Sequence, residues 1–456
     1  MKLKKNDIHT VKIEDITNLG FGVGHIDGSV VFVADTVPGD VIECRIIKVS
    51  SSFSVGKAER VIYRSELYSQ KRCKNTACKS CAYKNLTYET ELKLKREWVQ
   101  NEMKKAGLSD IEVLSPIPSP EISAYRNKAQ YPLMNTKSGV AIGFFAPKSH
   151  RVTEAADCTL SHHIFEKILA EIRKIIDRHS LSAYDELTGT GLFRHIYLRR
   201  GEVSGEILLT FVINGASIPF ADEFITKITE SFPAVVGILI NKNTEKTNVI
   251  LSDEYELLFG RDYIYDTLAG VRLKISAPAF YQVNHGTAEL IYKRVRELCA
   301  PTKADTVIDL FCGTGSIGLS LAQEAGEVIG IEIIDAAVRC ANENAKENNI
   351  ENARFFSGDA TETERLLDVA ERELSRKITP NIIILDPPRA GCDERLIKYV
   401  ASLAPKKIVY VSCNPATLAR DLSRFKDYNY KTPRVETFDM FPLTGHVESV
   451  VCLTRR

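Results

Sequence analysis

The chain has 456 residues, of which 44% are hydrophobic and 26% charged, and its formal net charge is +1. This composition is typical of a globular chain with room for about two to four domains. No apolar run approaches the ~20 residues of a membrane span, and residues 1–5 lead into polar sequence rather than a signal-peptide core, so we expect a cytoplasmic protein without a membrane partner. Because the net charge is close to zero, a nucleic-acid ligand would have to be bound by local basic patches.

Residues 8–62 contain several short runs in which apolar and polar residues alternate, separated by glycines and by a Pro-Gly-Asp turn at 38–40. This pattern predicts a small β-barrel. Barrels of this kind bind single-stranded nucleic acid or merely support a neighbouring domain, and the pattern alone leaves both open. The turns at 20–24 (GFGVG) and 37–40 (VPGD) match those of one family, so residues 1–62 resemble a TRAM domain, which implies an RNA-binding barrel.

A cluster of three cysteines follows the predicted barrel, at Cys73, Cys78 and Cys81, and Cys158 is a fourth candidate further along the chain. The chain has eleven cysteines and no secretion signal, which favours metal-binding or catalytic roles over a disulfide framework. Four thiolates can bind either zinc or an iron–sulfur cluster, and their spacing does not separate the two. No feature of the sequence predicts an obligate protein partner.

Residues 87–106 have the periodicity of a helix, with apolar side chains on one face and Gly107 as its stop signal. We expect its basic residues to lie on the solvated face rather than to contact a ligand. They are Lys93, Lys95, Arg96, Lys104 and Lys105.

Basic and aromatic residues occur together in three further clusters, at 125–129 (YRNKA), 147–151 (PKSHR) and 193–195 (FRH). Cations that contact phosphates and rings that stack on bases suit a single strand of RNA. Residues 205–270 continue as mixed strand and helix, which predicts a central α+β unit.

From about residue 285 helices and strands alternate regularly, which predicts a doubly wound parallel sheet. The pattern predicts a helix over 287–299 and strands over 306–310, 327–331, 353–356, 382–385 and 408–411. The glycines Gly313, Gly315 and Gly318 follow the first strand and satisfy the dinucleotide-binding pattern, so an NAD site must be considered. Asp309 inside the end of the first strand, and Asp386 before a Pro-Pro turn at the end of the fourth, favour S-adenosylmethionine instead.

Residues 407–411 read as a buried strand that ends at 412–415 (SCNP), before another helical pattern begins. Cys413 is therefore expected at the carboxyl end of a strand, where open α/β sheets bind ligands. A buried structural thiol is the alternative interpretation of the same position.

Six motifs together identify the chain as a member of the bacterial RNA uracil-C5 methyltransferase family, resembling its large-subunit (23S) ribosomal RNA branch with a TRAM domain and an iron–sulfur cluster. They are 279–284 (AFYQVN), 309–315 (DLFCGTG), 330–332 (GIE), 385–389 (LDPPR), 412–421 (SCNPATLARD) and 439–448 (DMFPLTGHVE). The resemblance implies that Cys413 is the nucleophile and Glu448 the base. It also implies S-adenosyl-L-methionine bound by Gln282, Phe311, Glu332 and Asp386, and a 4Fe-4S cluster held by Cys73, Cys78, Cys81 and Cys158.

The expected fold is α/β: a TRAM-type barrel at 1–62, a central α+β domain at 63–270, and a Rossmann-like methyltransferase domain at 271–456 on which the helix 87–106 packs. The expected product is 5-methyluridine in RNA, and the expected substrate is 23S ribosomal RNA. Addition to uracil requires that the Cys413 environment shift its thiol toward the thiolate form, and removal of the C5 hydrogen suits a carboxylate with a raised pKa at Glu448. The alternatives are a transfer RNA substrate, a non-catalytic RNA-binding assembly factor, and an NAD-dependent oxidoreductase with an iron–sulfur centre.

Overall fold

The computed structural model describes residues 3–70, 73, 78, 80–146 and 149–455. Within these residues, no helix combines the length and the apolar character needed to cross a membrane.

The first five strands close into a barrel in the order β1-β2-β3-β5-β4. Their bounds are β1 Ile8–Ile16, β2 Phe21–Ile26, β3 Ser29–Ala34, β4 Val41–Val49 and β5 Ser54–Tyr63. Alternate apolar residues such as Val11, Ile13, Val31 and Val33 point inward and are buried, as the period-2 pattern requires. The predicted β-barrel is confirmed.

Helix α1 (Tyr88–Lys105) starts at its cap Thr87, whose hydroxyl accepts a hydrogen bond from the Thr90 N–H. The helix packs against the expected methyltransferase domain at 271–456, the catalytic domain, where Val99 and Met103 join one of its two cores. The short strand β6 (Glu112–Val113) follows the helix. Four of its five basic residues are exposed as predicted, but the prediction for Lys95 was wrong because its side chain is fully buried.

A seven-stranded sheet forms the centre of the chain, in the order β13-β12-β11-β10-β7-β8-β9. Its strands are β7 Lys128–Thr136, β8 Gly139–Phe145, β9 Val152–Glu154, β10 Phe193–Arg200, β11 Ile207–Ile213, β12 Val235–Lys242 and β13 Tyr255–Gly260. Helices α2 (His163–Arg178) and α3 (Ala221–Ser231) cover one face. The other face is turned toward the catalytic domain, because Tyr197, Leu208 and Leu239 belong to the core of that domain.

One of the three predicted RNA-contacting clusters, at 193–195, differs from expectation. Phe193, Arg194 and His195 are buried, and Arg194 donates hydrogen bonds to the backbone oxygens of Asn243, Glu245 and Thr247 rather than facing solvent. This arginine therefore ties a loop to the sheet. In the cluster at 147–151, residues 147 and 148 lie outside the described residues.

The hairpin β14 (Tyr263–Leu268) and β15 (Val271–Ser276) leads into the catalytic sheet. That sheet has the order β18-β17-β16-β19-β20-β23-β22-β6, with β21 paired to β23. Its further strands are β16 Thr306–Leu310, β17 Glu327–Glu332, β18 Ala353–Ser357, β19 Ile382–Leu385, β20 Lys407–Ser412, β21 Tyr430–Lys431, β22 Arg434–Phe438 and β23 Glu448–Arg455. The helices are α4 His285–Cys299, α5 Ser316–Ala322, α6 Asp335–Glu347, α7 Thr363–Leu374, α8 Glu394–Ser402 and α9 Pro415–Asp427, with a 3₁₀ turn at Ala360–Glu362.

Helices α4, α5 and α6 cover one face of this sheet, and α1, α7, α8 and α9 cover the other, so the predicted doubly wound α/β fold is confirmed. The sheet was predicted to be parallel throughout, but it contains an antiparallel strand. Strand β23 lies between β20 and β22 and runs antiparallel to β20, with Ser412 paired to Ser449. This antiparallel strand brings the C-terminal segment back to the edge where the parallel strands end.

Candidate active site

The carboxyl ends of four parallel strands converge at one edge of the catalytic sheet, as doubly wound sheets require. Phe311, Glu332, Asp386 and Cys413 lie at the ends of β16, β17, β19 and β20 respectively. Glu448 begins β23, which runs in the opposite direction, so it reaches the same edge from the other side. Five of the six predicted catalytic and cofactor residues therefore meet there.

The turn after β16 is held by carboxylates. The Glu332 side chain accepts hydrogen bonds from the N–H groups of Gly313 (3.0 Å) and Ile334 (3.0 Å), and Asp309 accepts one from Gly318 (2.8 Å). Phe311 adopts a φ of +64°, which is unusual for a bulky residue and is typical of a functional turn. The acidic side chain at the end of the second strand thus fixes the glycine-rich turn beside it.

An apolar surface lies next to Glu332. Ile333 and Ile334 expose 61% and 59% of their area, although large aliphatic side chains are usually buried. An exposed apolar surface beside a carboxylate and a glycine-rich turn fits the adenosine part of S-adenosylmethionine. Sequence reasoning missed these two residues, although the apolar run that continues past the end of the strand could have indicated them.

Gln282, the sixth predicted residue, adjoins the same turn from the segment that precedes helix α4. The Tyr292 hydroxyl is 2.7 Å from the Ser316 hydroxyl, and Gln282 also hydrogen-bonds it. The backbone oxygen of Gln282 accepts a hydrogen bond from the Asn127 side chain (2.8 Å), which joins this segment to the central sheet.

Cys413 sits in a turn that its neighbours hold firmly. The Asn414 side chain caps α9 by accepting from the Ala416 N–H (3.1 Å) and donates to the Arg389 backbone oxygen (2.9 Å). The thiol is half-buried, and its pKa is raised to about 11 by burial and then by the carboxylates of Glu448 and Asp386, while Arg389 opposes them. The expected shift toward thiolate was therefore wrong for this state of the protein, because the nearby acids and the partial burial disfavour a second negative charge.

The two carboxyl groups are also perturbed. Burial raises the pKa of Asp386 to about 7. The pKa of Glu448 is raised well above its usual value, chiefly by burial and then by Asp386, against an opposing contribution from Arg389. Two carboxyls and a thiol within electrostatic reach of one another titrate as a group, so this edge can accept and release protons near neutral pH.

Arg389 and His446 complete this surface, and sequence reasoning gave neither a role. The Arg389 guanidinium lies 3.4 Å from His446 Nε2. Burial and the nearby Arg389 charge lower the pKa of His446, so the neutral ring is favoured. Arg389 stabilises the charged forms of both Cys413 and Glu448, and its position directly after the Pro-Pro turn could have indicated it.

A buried ion pair anchors the loop that leads to Glu448. Lys95 Nζ is 2.7 Å from Glu91 Oε1, 2.5 Å from Asp439 Oδ1 and 3.1 Å from the Phe441 backbone oxygen, and all three side chains are buried. The Leu443 N–H also donates to Glu91 (2.8 Å). Helix α1 therefore positions the loop before the candidate base.

The cysteine cluster lies behind this loop. Cys81 and Cys158 pack against Tyr125 and Leu443, and the Tyr83 N–H donates to the Leu443 backbone oxygen (2.9 Å). Burial raises the pKa of Cys81 to about 12, and the further causes include its neighbours Cys158, Cys78 and Cys73. The four thiols are thus close enough to interact electrostatically, although no three metal-ligating side chains among the described residues form a ready metal site. Residues 74–77 and 79 lie outside the described part.

Comparison with known proteins identifies the family of this chain. A family model described as tRNA (Uracil-5-)-methyltransferase matches residues 87–456, and a TRAM domain model matches residues 2–58. An uncharacterized RNA methyltransferase of Bacillus cereus is 37% identical over 455 residues, covering 99% of this chain and 98% of its own length. One from Streptococcus pyogenes serotype M18 is 39% identical over 466 residues, with coverage of 99% and 97%.

Among solved structures, the Pyrococcus abyssi tRNA (uracil-54, C5)-methyltransferase in complex with S-adenosyl-L-homocysteine superimposes with a TM-score of 0.77. It is 25% identical, and the match covers 98% of this chain and 100% of that one. The chain therefore belongs to the tRNA (uracil-5-)-methyltransferase family and is an S-adenosylmethionine-dependent RNA methyltransferase with an N-terminal TRAM domain.

Proposed function

We propose that this chain forms 5-methyluridine in RNA and that its substrate is 23S ribosomal RNA. The observation that carries the reaction is the pairing of β20 with β23: Ser412 is opposite Ser449, so Cys413 and Glu448 follow side by side at the carboxyl edge of the sheet. A thiol next to a carboxyl, with Asp386 close to both, supplies a nucleophile and two proton acceptors.

Cys413 is the proposed nucleophile. Its sulfur bonds to C6 of the uracil ring while the thiol proton passes to Asp386, whose pKa of about 7 suits a proton acceptor at neutral pH. The electron pair of the C5–C6 double bond moves onto C5 and is shared with the C4 carbonyl oxygen, so C5 becomes an enolate carbon. S-adenosylmethionine supplies a methyl group on a sulfonium, which such a carbon can take.

Glu448 is the proposed base for the last step. It removes the C5 hydrogen as a proton, the C5–C6 double bond re-forms, and the bond between C6 and the cysteine sulfur breaks. The uracil has therefore exchanged one hydrogen for a methyl group, and the departing sulfur takes back the proton held by Asp386, which regenerates the thiol. Because the reacting carbon must reach Cys413, the target uridine has to be unpaired or flipped out of its stack.

The cofactor-binding residues are proposed to be Gln282, Phe311, Glu332 and Asp386. Their convergence on the glycine-rich turn and the exposed Ile333 and Ile334 support this assignment. Glu332 is proposed to hold the ribose, and the charge of Asp386 acts on Cys413, which supports a place for Asp386 beside the reacting thiol.

We also propose that the four cysteines hold a 4Fe-4S cluster. Soft thiolate donors suit iron–sulfur chemistry, and the mutual proximity of the four thiols supports a single centre. The cluster would hold residues 73–81 against the loop at Leu443, so its proposed role is structural. The ligands are Cys73, Cys78, Cys81 and Cys158.

The proposed domains are residues 1–62, 63–270 and 271–456, with α1 and β6 packed on the last of them. Ribosomal RNA is favoured because the TRAM domain and the cysteine cluster together resemble the ribosomal branch. Transfer RNA is the second candidate, because the Pyrococcus abyssi structure with a TM-score of 0.77 is a tRNA methyltransferase. Mass mapping of 5-methyluridine in ribosomal and transfer RNA from a deletion strain separates the two.

The reaction itself is tested with two variants that should fail at different steps. Cys413→Ala cannot add to C6, so it should form neither 5-methyluridine nor a covalent RNA complex. Glu448→Gln should add and methylate but not release, which leaves RNA bonded to Cys413 as a slow, methyl-labelled band in denaturing electrophoresis. Its turnover should fall by the roughly 10²–10⁴-fold that a positioned base contributes. Full turnover by Glu448→Gln, or a covalent band from Cys413→Ala, would mean that the residues are wrongly assigned.

A further inference from the structure

Two of three neighbouring cations share one face of the central sheet, the face turned toward the catalytic domain. Arg199 in β10 lies directly opposite Lys128 in β7, so their side chains point to the same side. Arg126 precedes Lys128 by two residues, before β7 begins, and its positive charge acts on both Lys128 and His446 of the candidate active site. Ala129, the next residue along β7, belongs to the core on the other face of the sheet.

Arg199 is only 2% exposed, yet it pairs with no carboxylate in the described part of the chain. Its Nε and Nη2 donate to the Tyr197 hydroxyl (3.2 and 2.7 Å), and Nη2 also donates to the Ala279 backbone oxygen (2.5 Å). Nη1 has no hydrogen-bond partner among the described residues, and the same holds for Nε of Arg126. A buried guanidinium is normally paired with an anion, because desolvating an unpaired charge is costly.

The positive charges of Arg199 and Arg126 also act on Lys128, the third cation. Lys128 is half-buried, and its pKa is lowered to about 8 by burial and then by the positive charges of Arg199 and Arg126. No acidic group in the described chain contributes to this shift. Three positive charges are therefore held together without a counter-ion among the residues that the structure describes, which is the arrangement that an anionic ligand would complete.

We propose that Lys128, flanked by Arg126 and underlain by Arg199, binds a phosphodiester group of single-stranded RNA on its way to the active site. The location supports this ligand, because the strands that carry these cations contact the segment that leads into the catalytic edge. Arg199 binds the backbone oxygen of Ala279, and Asn127 binds that of Gln282, a proposed cofactor residue. The site thus lies between the central sheet and the reacting centre.

The identity of the ligand rests on the proposed function, but the anion site can be tested without methyl transfer. Fluorescence anisotropy measures binding of decauridylate and decacytidylate to the full-length protein at several KCl concentrations. Each phosphate contact on a single strand contributes about 0.7 to the slope of log affinity against log salt. Lys128→Met should lower that slope by about 0.7 with both oligonucleotides, whereas Lys137→Met, which removes an exposed charge beyond the end of β7, should leave it unchanged.

Equal slopes for the two variants would overturn the proposal, and so would a loss seen with decauridylate alone, because that would indicate a base contact. Decacytidylate offers no uracil, so its binding does not depend on the methylation reaction. If the intact protein formed no 5-methyluridine but Lys128→Met still lowered both slopes, the proposed function would fail and the anion site would stand.

A second measurement uses the protein without substitution. Lysine acetylation at pH 8, read by mass spectrometry, reports how accessible each amine is. Decacytidylate should slow acetylation of Lys128 severalfold and leave Lys137 unaffected. Equal acetylation of Lys128 with and without the oligonucleotide would refute the site even if Lys128→Met did not fold.

Discussion

The ionisation of Cys413 is the most direct test of how the active-site charges act together. With a pKa of about 11, roughly 0.1% of this thiol is ionised at pH 8, against roughly a quarter of an ordinary thiol with a pKa near 8.5. The ratio is about 10², and since the side chain is half-exposed, solvent screens part of it. We therefore expect alkylation of Cys413 at pH 8 to be roughly 10- to 100-fold slower than that of a free thiol.

The perturbation is Glu448→Gln, which removes the carboxylate that contributes most, after burial, to the raised pKa. The protein is treated with iodoacetamide between pH 7 and 10, and mass spectrometry follows the peptide that contains Cys413. The variant should alkylate faster at pH 8 and titrate at lower pH. Glu394→Gln, a substitution at a largely exposed carboxylate on α8, is the matched control and should change neither.

Arg389→Met should slow the alkylation of Cys413 and shift its titration to higher pH, because this cation lowers the pKa of Cys413. A wild-type Cys413 that titrates below about 8.5, or the same titration in Glu448→Gln and wild type, would refute the reasoning. If the reasoning holds, the addition step cannot begin from a stored thiolate. The proton must leave the sulfur as the bond to C6 forms, which requires a nearby acceptor.

Three further predictions concern the cofactor turn, the cysteines and the buried acid of β16. Glu332→Ala should weaken binding of S-adenosylmethionine by about 1.5–3 kcal/mol in calorimetry, with unchanged binding of RNA; an unchanged dissociation constant for the cofactor would contradict the site. Anaerobically purified protein should absorb broadly near ~400 nm and contain iron, and stoichiometric zinc without iron would contradict the cluster. Burial raises the pKa of Asp309 to about 8. The unfolded chain ionises this group near pH 4, whereas the folded state keeps it neutral up to about pH 8. The folded state therefore loses stability as the pH rises toward 8. Asp309→Asn should therefore raise the melting temperature more at pH 8 than at pH 5, and an equal change at both would contradict this.

Local sequence patterns were enough to predict the framework of the active site. The strand that ends at Ser412 and the helix that starts at Pro415 are fixed by an apolar run, a capping asparagine and a proline, all within a few residues. The glycine-rich turn is equally local. Helix α4 begins two residues earlier than predicted, because Asn284 caps it by accepting from the Thr287 N–H.

Features that depend on contacts between distant segments were not predictable in this way. Lys95 has the sequence neighbourhood of a surface helix, and nothing local indicates that its partner Asp439 lies 344 residues further along the chain. Strand β23 reads as an ordinary buried strand, so its antiparallel pairing follows only from where the chain re-enters the sheet. The raised pKa of Cys413 has the same origin, since two of its causes, Glu448 and Asp386, arrive on other strands.

The buried ion pair shows how a helix that precedes the central sheet positions the loop before the proposed base Glu448. Replacing a buried pair with apolar residues is often neutral for stability, so such pairs are better explained by the specific geometry that they impose. Here Lys95 binds Asp439 and the backbone of Phe441, and Glu91 binds the backbone of Leu443. Three successive points of one loop are thus fixed just before Glu448. The proposed role of Glu448, removal of one hydrogen, requires such a fixed position, because proton transfer needs contact with a single atom of the bound uracil.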